Sequence, residues 1–543
     1  MVRVPTYANY NRLLMQTMNI KNKTDILSYQ ATTGIKYANY GGYGMSASNI
    51  VNMEASLTVT KNFQDSNNVL TTTVTAMSTV MDNIENSAYS FKSLLNNSLS
   101  GFAGLENGQP VSETVIATLN ELQMSAYAGM SFISDALNTS VGGKYIFGAG
   151  SSAAPTQFNF NNLEEFQNYY DGVNVKYPTT SNASLSSRNV NWETSGTLNI
   201  TAVDRDDPLN NNYVLSSTGG FLNTAVVGGS ETTGNLTLSY IHNTLKAENY
   251  GAFNAISAGD TLVLNDGNTT KAYIVESVSE DGKTITFSQD TKIEDDGNFD
   301  ADGNKVFTDG INADNGEAVT LSTSFAKGTV LNFNDITNPD FPPMQVEGID
   351  TNGNLIVTAN KKMPDGEYDI STKWSLTSES YYQGGSATEV FRISDNQKIT
   401  FDVSANDSVF DRLFRSMGMI AQGNIIKYDD DGNVANAQEV KDWVNQAMDV
   451  LQSAFDNNGK ATSGKNETLS LVIAKVSSNY VILDNVKSTL ESVQGNLENS
   501  IYEIKNVDQT EATVKLLQAQ SSLEASYNVL SNVLNNSLLN YLK

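Results

Sequence analysis

The sequence predicts an α+β fold. Helical segments from the two ends of the chain form one discontinuous coiled-coil core, and a β-rich region is inserted between them. Three observations carry that expectation. Apolar residues recur at heptad spacing near both ends. Short β-branched runs broken by Asp-Gly and Asn-Gly pairs fill the middle. The net charge of −27 is concentrated in that middle: the first 150 residues hold 8 basic and 9 acidic residues and 431–543 hold 8 and 13, which leaves −21 to residues 151–430. An acidic middle with nearly neutral ends reads as a hydrated insert between segments that face protein.

Taken in order, Tyr10, Leu13, Thr17, Ile20, Thr24, Leu27 and Ala31 keep a seven-residue repeat and predict the first helix. A Gly/Tyr loop follows and feeds a second helix capped by Ser46 or Ser48, with the stricter repeat Leu70, Val74, Met77, Met81, Ile84, Ala88, Phe91 and Leu95. Val115, Leu119, Leu122, Ala126, Met130, Ile133 and Leu137 predict a third, after Pro110 and a cap at Ser112. From about 156 to 375, VLNDGNTTKAYIV, SEDGKTITF, IDTNGNLIV and MPDGEYDI each predict a hairpin, because the turn needs positive φ that Gly or Asn supplies at little cost. This insert is expected to hold two small domains meeting near Val226-Val-Gly-Gly-Ser230.

Beyond the insert, Val440, Val444, Ala447, Leu451 and Phe455 describe a helix ending at Asn-Asn-Gly, and Val476, Tyr480, Leu483, Leu490, Val493, Leu497, Ile501 and Ile504 form another seam. Asp508 with Glu511 three residues later reads as a cap that restarts the helix. In the last helix Leu523, Tyr527, Leu530, Leu534 and Leu538 line one face. Asn528, Asn532, Asn535, Asn536 and Asn540 stand on the other, where a soluble helix usually carries Glu and Lys. The divisions that follow are 1–45, N-terminal assembly helix and loop; 46–155, helical core; 156–375, β-rich insert; 376–506, a β-hairpin and the second half of the helical core; and 507–543, C-terminal assembly helix.

Composition excludes several classes of function. The chain has no Cys, so disulfides, thiol chemistry and Cys-ligated zinc are closed to it. No apolar run approaches the ~18 residues of a membrane span, and Tyr, Asn and Arg interrupt MVRVPTYANYNRLLMQ wherever a signal-peptide core would lie. No basic patch is present to displace phosphate counterions from nucleic acid.

Four stretches resemble ligand or catalytic motifs and each fails a requirement. Gly459-Lys-Ala-Thr-Ser-Gly464-Lys465-Asn466 puts Asn where a phosphate-binding loop needs Ser or Thr, and a helix precedes it in place of a strand. Gly42-Tyr-Gly44-Met-Ser-Ala47 fits the loose dinucleotide pattern but also follows helical sequence. Asn298-Phe-Asp300-Ala-Asp302-Gly303 with Asp309 approaches a calcium loop, yet Asn opens it and Asp replaces the closing Glu; solvated acidic turns account for it as well. The single His242 lies in SYIHNTL with no G-x-S-x-G nearby. No catalytic, cofactor or metal site is expected.

The helical ends carry a family resemblance. TTGIKYANYGGYGMSASNIVNMEASL and the matching C-terminal helix resemble the flagellin and hook-associated protein superfamily. Leu137-Asn-Thr-Ser-Val-Gly-Gly-Lys-Tyr-Ile-Phe-Gly-Ala-Gly, followed by Pro155 and Phe158, resembles the N…G.Y.F.G signature of the hook-filament junction family, hook-associated protein 3. Tyr381-Tyr-Gln-Gly-Gly and TEVFRISDNQKITFDVSANDSVFDRLFRSMGMIA are similar to the segment before the C-terminal helices of that family and of some flagellins. The ending LEASYNVLSNVLNNSLLNYL is similar to the close of junction proteins, whereas flagellins usually end on a Gln/Ala-rich helix.

The resemblance covers about residues 1–158 and 376–543. It implies an extracellular structural protein of the bacterial flagellum, not an enzyme. Export would run unfolded through the type III pathway without a cleaved signal, with an export chaperone on the C-terminal helix. Assembly would be as a homo-oligomer between another hook-associated protein and the flagellin filament. The C-terminal stripe would then be covered by the first helix around Tyr10, Leu13, Ile20 and Leu27, and by neighbouring subunits. Two other readings stay open: a flagellin that forms the filament itself, and a secreted calcium-dependent adhesin working through the insert.

Overall fold

The computed structural model describes residues 3–539 except 180–190, 195–196, 205, 208–209, 223–232, 254–255, 257–259, 266–269, 280, 308–319, 336–340, 351, 364–367, 371–373, 379–380, 386 and 457–467. The fold is α+β, with helices at both ends and strands between. The helices are α1 (Arg3–Thr33), α2 (Ser46–Phe102), α3 (Glu113–Leu137), α4 (Leu163–Tyr169), α5 (Ser408–Ala421), α6 (Ala437–Phe455), α7 (Leu469–Lys505) and α8 (Gln509–Leu539). Two compact units divide the chain, one of residues 1–72, 391–399 and 480–543, the other of 73–390 and 400–479.

In the first unit α1 packs along α8. The start of α2 and the end of α7 run in opposite directions, since Glu54 pairs with Lys505 at 2.8 Å and, seven residues along each, Lys61 pairs with Glu498 at 3.1 Å. Asn67, buried on α2, donates its amide to the Ile393 carbonyl at 2.9 Å and fixes the 391–399 segment.

In the second unit every residue of the α2 repeat from Val74 to Leu95 is buried, as are Leu122, Ala126, Met130, Ile133 and Leu137 of α3. Ser112 caps α3 by accepting the Val115 N–H at 3.3 Å. α5 lies between α3 and α6 and is buried from Val409 to Ala421. It carries a buried ion pair one turn apart, Asp411 to Arg415 at 3.0 Å, and Arg415 also donates to the Thr179 carbonyl at 2.6 Å. Burial pushes the neighbouring Tyr177 hydroxyl up, with the Asp411 charge adding to the effect.

The strands are β1 (Ser140–Val141), β2 (Lys144–Tyr145), β3 (Asn191–Thr194), β4 (Leu198–Ala202), β5 (Asn212–Ser217), β6 (Leu236–Ser239), β7 (Thr244–Ala247), β8 (Thr261–Asn265), β9 (Thr270–Val278), β10 (Thr284–Phe287), β11 (Asn304–Phe307), β12 (Thr320–Ser324), β13 (Val330–Asp335), β14 (Met344–Ile349), β15 (Leu355–Ala359), β16 (Tyr368–Ile370), β17 (Trp374–Thr377), β18 (Glu389–Arg392) and β19 (Lys398–Phe401). One sheet has the order β16-β4-β5-β15-β14-β13-β17-β3 and the other β11-β6-β7-β10-β9-β8-β12. The second is nested within the first: the chain leaves after β5, builds β6 to β12, and returns at β13. The expected meeting point at 226–230 lies outside the described residues. Each sheet has its own apolar cluster, Leu215, Leu331, Val346 and Leu355 in one and Leu245, Phe253, Ile285 and Phe287 in the other.

Three of the four hairpin signals join adjacent strands, β8–β9, β9–β10 and β14–β15. The fourth does not. After MPDGEYDI the strand β16 pairs with β4, Tyr368 opposite Ile200, because β15 already has β14 and β5 on its two edges.

The acidic turns share one construction. In Asp300-Ala-Asp-Gly-Asn304, Asp350-Thr-Asn-Gly-Asn354 and Asp429-Asp-Asp-Gly-Asn433, the first Asp accepts the backbone N–H groups two and four residues ahead, at 2.7 to 3.0 Å. Gly303, Gly353 and Gly432 take φ of 74°, 80° and 80°, where a Cβ is strained. The segment that approaches a calcium loop is therefore one copy of a repeated turn; its Asp309 lies outside the described residues. The exposed His242 sits in the β6–β7 turn, and Gly459–Asn466 lies outside the described residues.

Asp350→Ala removes the acceptor of two N–H groups and is expected to cost about 1 to 3 kcal/mol, seen as a lower thermal midpoint. Calcium is expected to leave the wild-type midpoint in place. A saturable rise that disappears in Asp300→Asn would return Asp300 to the metal reading.

Candidate assembly interface

The terminal segments meet at a backbone junction. Gly34 ends α1 with φ of 73°, and its carbonyl accepts the Val507 N–H at 2.9 Å. Lys36 N–H donates to the Lys505 carbonyl at 2.7 Å. Asp508 then starts α8 by accepting from Thr510 N–H at 2.7 Å and Glu511 N–H at 3.2 Å.

From this junction α1 and α8 run antiparallel and pack along each other. Ala31, Thr24 and Thr17 on α1 and Ala512, Ala519 and Ser526 on α8 each recur at steps of seven; between them lie Leu27, Ile20 and Leu13 on α1 and Leu516, Leu523 and Leu530 on α8. Thr17, Thr24, Leu27, Ala512 and Ala519 are buried, and the other residues of this face are half-buried. Small residues thus recur every seventh position on both helices. Their lack of bulk lets the backbones approach, and Cα atoms come within 8 Å along the pair. The Thr hydroxyls are satisfied inside their own helix, Thr17 on the Leu13 carbonyl at 2.8 Å and Thr24 on the Ile20 carbonyl at 2.9 Å.

Of the stripe read from the sequence, Leu27 is buried and Tyr10, Leu13, Ile20, Leu523 and Leu530 are half-buried on the shared face. Tyr527 and Leu534 are 48% and 40% exposed; Ser526 and Val533, one residue earlier, take the covered positions. The side chain of Leu538 lies outside the described residues. Choosing by hydrophobicity favours Tyr and Leu, whereas close helix approach admits Ala, Ser and Thr. The overlooked signal is Ala512, Ala519 and Ser526 at steps of seven. Tyr527 flanks the seam beside Lys21, whose ammonium Asp25 holds above its ordinary value, with Tyr527 adding a smaller share. Asn528, Asn532 and Asn535 are exposed.

The Gly/Tyr loop is stapled to the same junction. Tyr40 donates its hydroxyl to one Glu54 oxygen at 2.6 Å, Lys505 takes the other at 2.8 Å, and the Lys505 ammonium lies 5.7 Å from the centre of the Tyr40 ring. Lys505 first, then Tyr40, hold the Glu54 carboxyl below its usual range.

In the second unit the two motif-bearing segments clasp each other. Asn138 at the end of α3 gives and takes a hydrogen bond with the Thr156 backbone, both at 2.9 Å. Gln157 N–H donates to the Tyr381 carbonyl at 2.7 Å, Gln383 N–H to that of Pro155 at 2.8 Å, and Gly385 N–H to that of Gly148 at 2.9 Å. A Cβ on Gly385 would stand 2.5 Å from the Ala149 carbonyl oxygen, so only Gly fits. Phe147 meets Phe410 edge to face, and Tyr381 stacks on Phe414 with centroids 4.2 Å apart.

These features define an α+β chain whose terminal helices pair with each other and whose β insert has its entry and exit segments bonded together. Among the described residues no helix is long and apolar enough to cross a membrane. No protein-family pattern and no curated protein matches the chain. Among solved structures it is similar to FlgL of Xanthomonas campestris, at 11% identity and a TM-score of 0.25 over 83% of this chain and 98% of that one. It is also similar to flagellar hook-associated protein 3 of Legionella pneumophila, at 11% identity and 0.26 over 86% and 98%. A third is the flagellar junction protein FlgL of Legionella pneumophila, at 12% identity and 0.20 over 83% and 99%.

Leu530→Asp puts a charge on the seam and is expected to cost about 1 to 3 kcal/mol, whereas Leu534→Asp, at an exposed position, costs clearly less. Helix melting followed by circular dichroism checks the order, and equal losses would move the seam back to the 527/534 face.

Because the folded Glu54 pKa is depressed, its contribution is fully present above the unfolded value near 4.5 and is lost as pH falls through the folded pKa. Glu54→Gln should therefore lower the thermal midpoint at neutral pH and leave it unchanged in strong acid. A difference that persists in acid would show that the staple is not ionic.

Proposed function

We propose that this chain is a structural junction protein of the bacterial flagellum, joining hook to filament through its terminal helices. The single observation that carries the reading is that α1 carries exposed apolar residues on the side away from its seam, among Asn11, Asn22 and Asp25. Its seam residues from Tyr10 to Ala31 face α8, while Tyr7, Met15, Met18 and Ile26 are exposed and fall within about 100° of arc on the far side. A helix that already has one partner and keeps large apolar side chains exposed on its other side fits an assembly in which another copy covers them.

The motif resemblance supplies the identity of that assembly. Residues 148–157 bond to 381–385, and Phe147 meets Phe410, so these parts of its central motifs act together at the base of the insert. The acidic insert is a solvated decoration in this reading. Secretion without a cleaved signal, an export chaperone on α8, and contacts to another hook-associated protein and to flagellin belong to the same proposal. Among the alternatives, the adhesin reading loses its motif to the repeated Asp-x-x-Gly-Asn turn.

A strain lacking the chain should keep hooks, shed its filaments and release flagellin into the medium. Complementation with Met18→Glu should leave the subunit secreted and filaments detached. Retained filaments in the deletion strain would overturn the junction role. Loss of all flagellin-sized protein from the medium would favour the flagellin alternative.

A further inference from the structure

We propose that Met15 and Met18 are sites of reversible oxidation by hydroperoxides, and that sulfoxide formation there blocks lateral association of the subunit. The proposal rests on the reading that another copy covers the outer face of α1. With no Cys in the chain, thioethers are its only sulfur nucleophiles. Met77, Met81, Met130, Met417 and Met419 are buried, whereas Met15 and Met18 are 69% and 57% exposed. Three residues apart, the two are neighbours on one helix surface, between Tyr7 and Ile26. Met45 and Met124 are also exposed, but they lie outside α1, in the loop before α2 and on α3, and serve as internal controls.

The chemistry needs one oxidant, a hydroperoxide. The sulfur lone pair attacks the terminal peroxide oxygen; the S–O bond forms as the O–O bond breaks, and the departing alkoxide takes the hydroperoxide proton to leave as an alcohol, or as water from hydrogen peroxide. Sulfur loses two electrons and the peroxide gains two. The product is a strong hydrogen-bond acceptor in place of an apolar group, and burying it without a donor opposes association. In a free subunit both sulfurs are open to the reagent; in an assembled one they are covered. Oxidation would therefore act on subunits that have not yet been incorporated and spare those already in place.

The test uses the purified full chain with hydrogen peroxide, peptide mass spectrometry and sedimentation velocity over a range of concentrations. Peroxide should oxidise Met15, Met18, Met45 and Met124 before the buried methionines, and weaken self-association by about tenfold or more, equivalent to ~1.4 kcal/mol. Methionine sulfoxide reductases should restore it. The double variant Met15→Leu/Met18→Leu keeps the apolar volume; it should associate normally and keep doing so after peroxide, although Met45 and Met124 still oxidise. If that variant loses association on treatment as the wild type does, the assignment to these two residues is overturned while the outer-face reading stands. If the untreated chain stays monomeric, or Met15→Glu/Met18→Glu associates like wild type, the outer face is no interface and both ideas fall.

Discussion

Close antiparallel packing of α1 on α8 is the constraint on which the first unit depends. It joins segments from opposite ends of the chain, and the entropy of closing so long a loop must be offset by whatever the seam supplies. Small residues at every seventh position meet that demand by geometry more than by bulk. They bring backbones together, leave Leu27, Ile20, Leu13 and their partners to fill the layers between, and keep the Thr hydroxyls bonded within their own helix. The junction of Gly34 with Val507 and of Lys36 with Lys505 ties the two helices together where they meet.

A seam built this way is narrow, which explains the rest of the terminal surface. A narrow contact leaves most of each helix uncovered, so apolar residues outside it have no cover within the chain. On α1 they gather on the side away from α8; on α8 they flank the seam or spread, as Tyr527, Leu534 and Leu517 do. The exposed Asn528, Asn532 and Asn535 suit a surface that must tolerate both water and protein, since an amide can exchange hydrogen bonds without the desolvation cost of a charge.

The second unit solves a different problem, which is how to interrupt a helical core with a β region nearly as long as the core itself. The two segments that lead in and out, 137–158 and 381–385, bond backbone to backbone and are backed by Phe147, Tyr381 and α5, buried from Val409 onward. Within the insert the same Asp-x-x-Gly-Asn turn appears in both sheets and again before α6. Much of the acidic character thus has a local structural use, each leading carboxylate accepting two backbone N–H groups. The buried Asp411–Arg415 pair on α5 is held by an added hydrogen bond to Thr179, at the entry to the insert.

The sequence alone determined what short-range physics decides. The heptad repeat of α2, the caps at Ser112 and Asp508 and the adjacent-strand hairpins all depend on residues within a turn or two of one another, and their periodicity and turn chemistry were legible. Tertiary structure decided the rest. Which face of α8 is covered turned on how closely α1 approaches, a property of two helices and not of one, so Ser526 and Val533 displaced Tyr527 and Leu534 from the seam. On α7, likewise, Asn479 and Gln494 are half-covered while Tyr480 and Val493 are exposed. The nesting of one sheet in the other and the pairing of β16 with β4 required knowing which strand edges were already occupied. Periodicity records that a residue is apolar; only the packed neighbour determines whether it is covered.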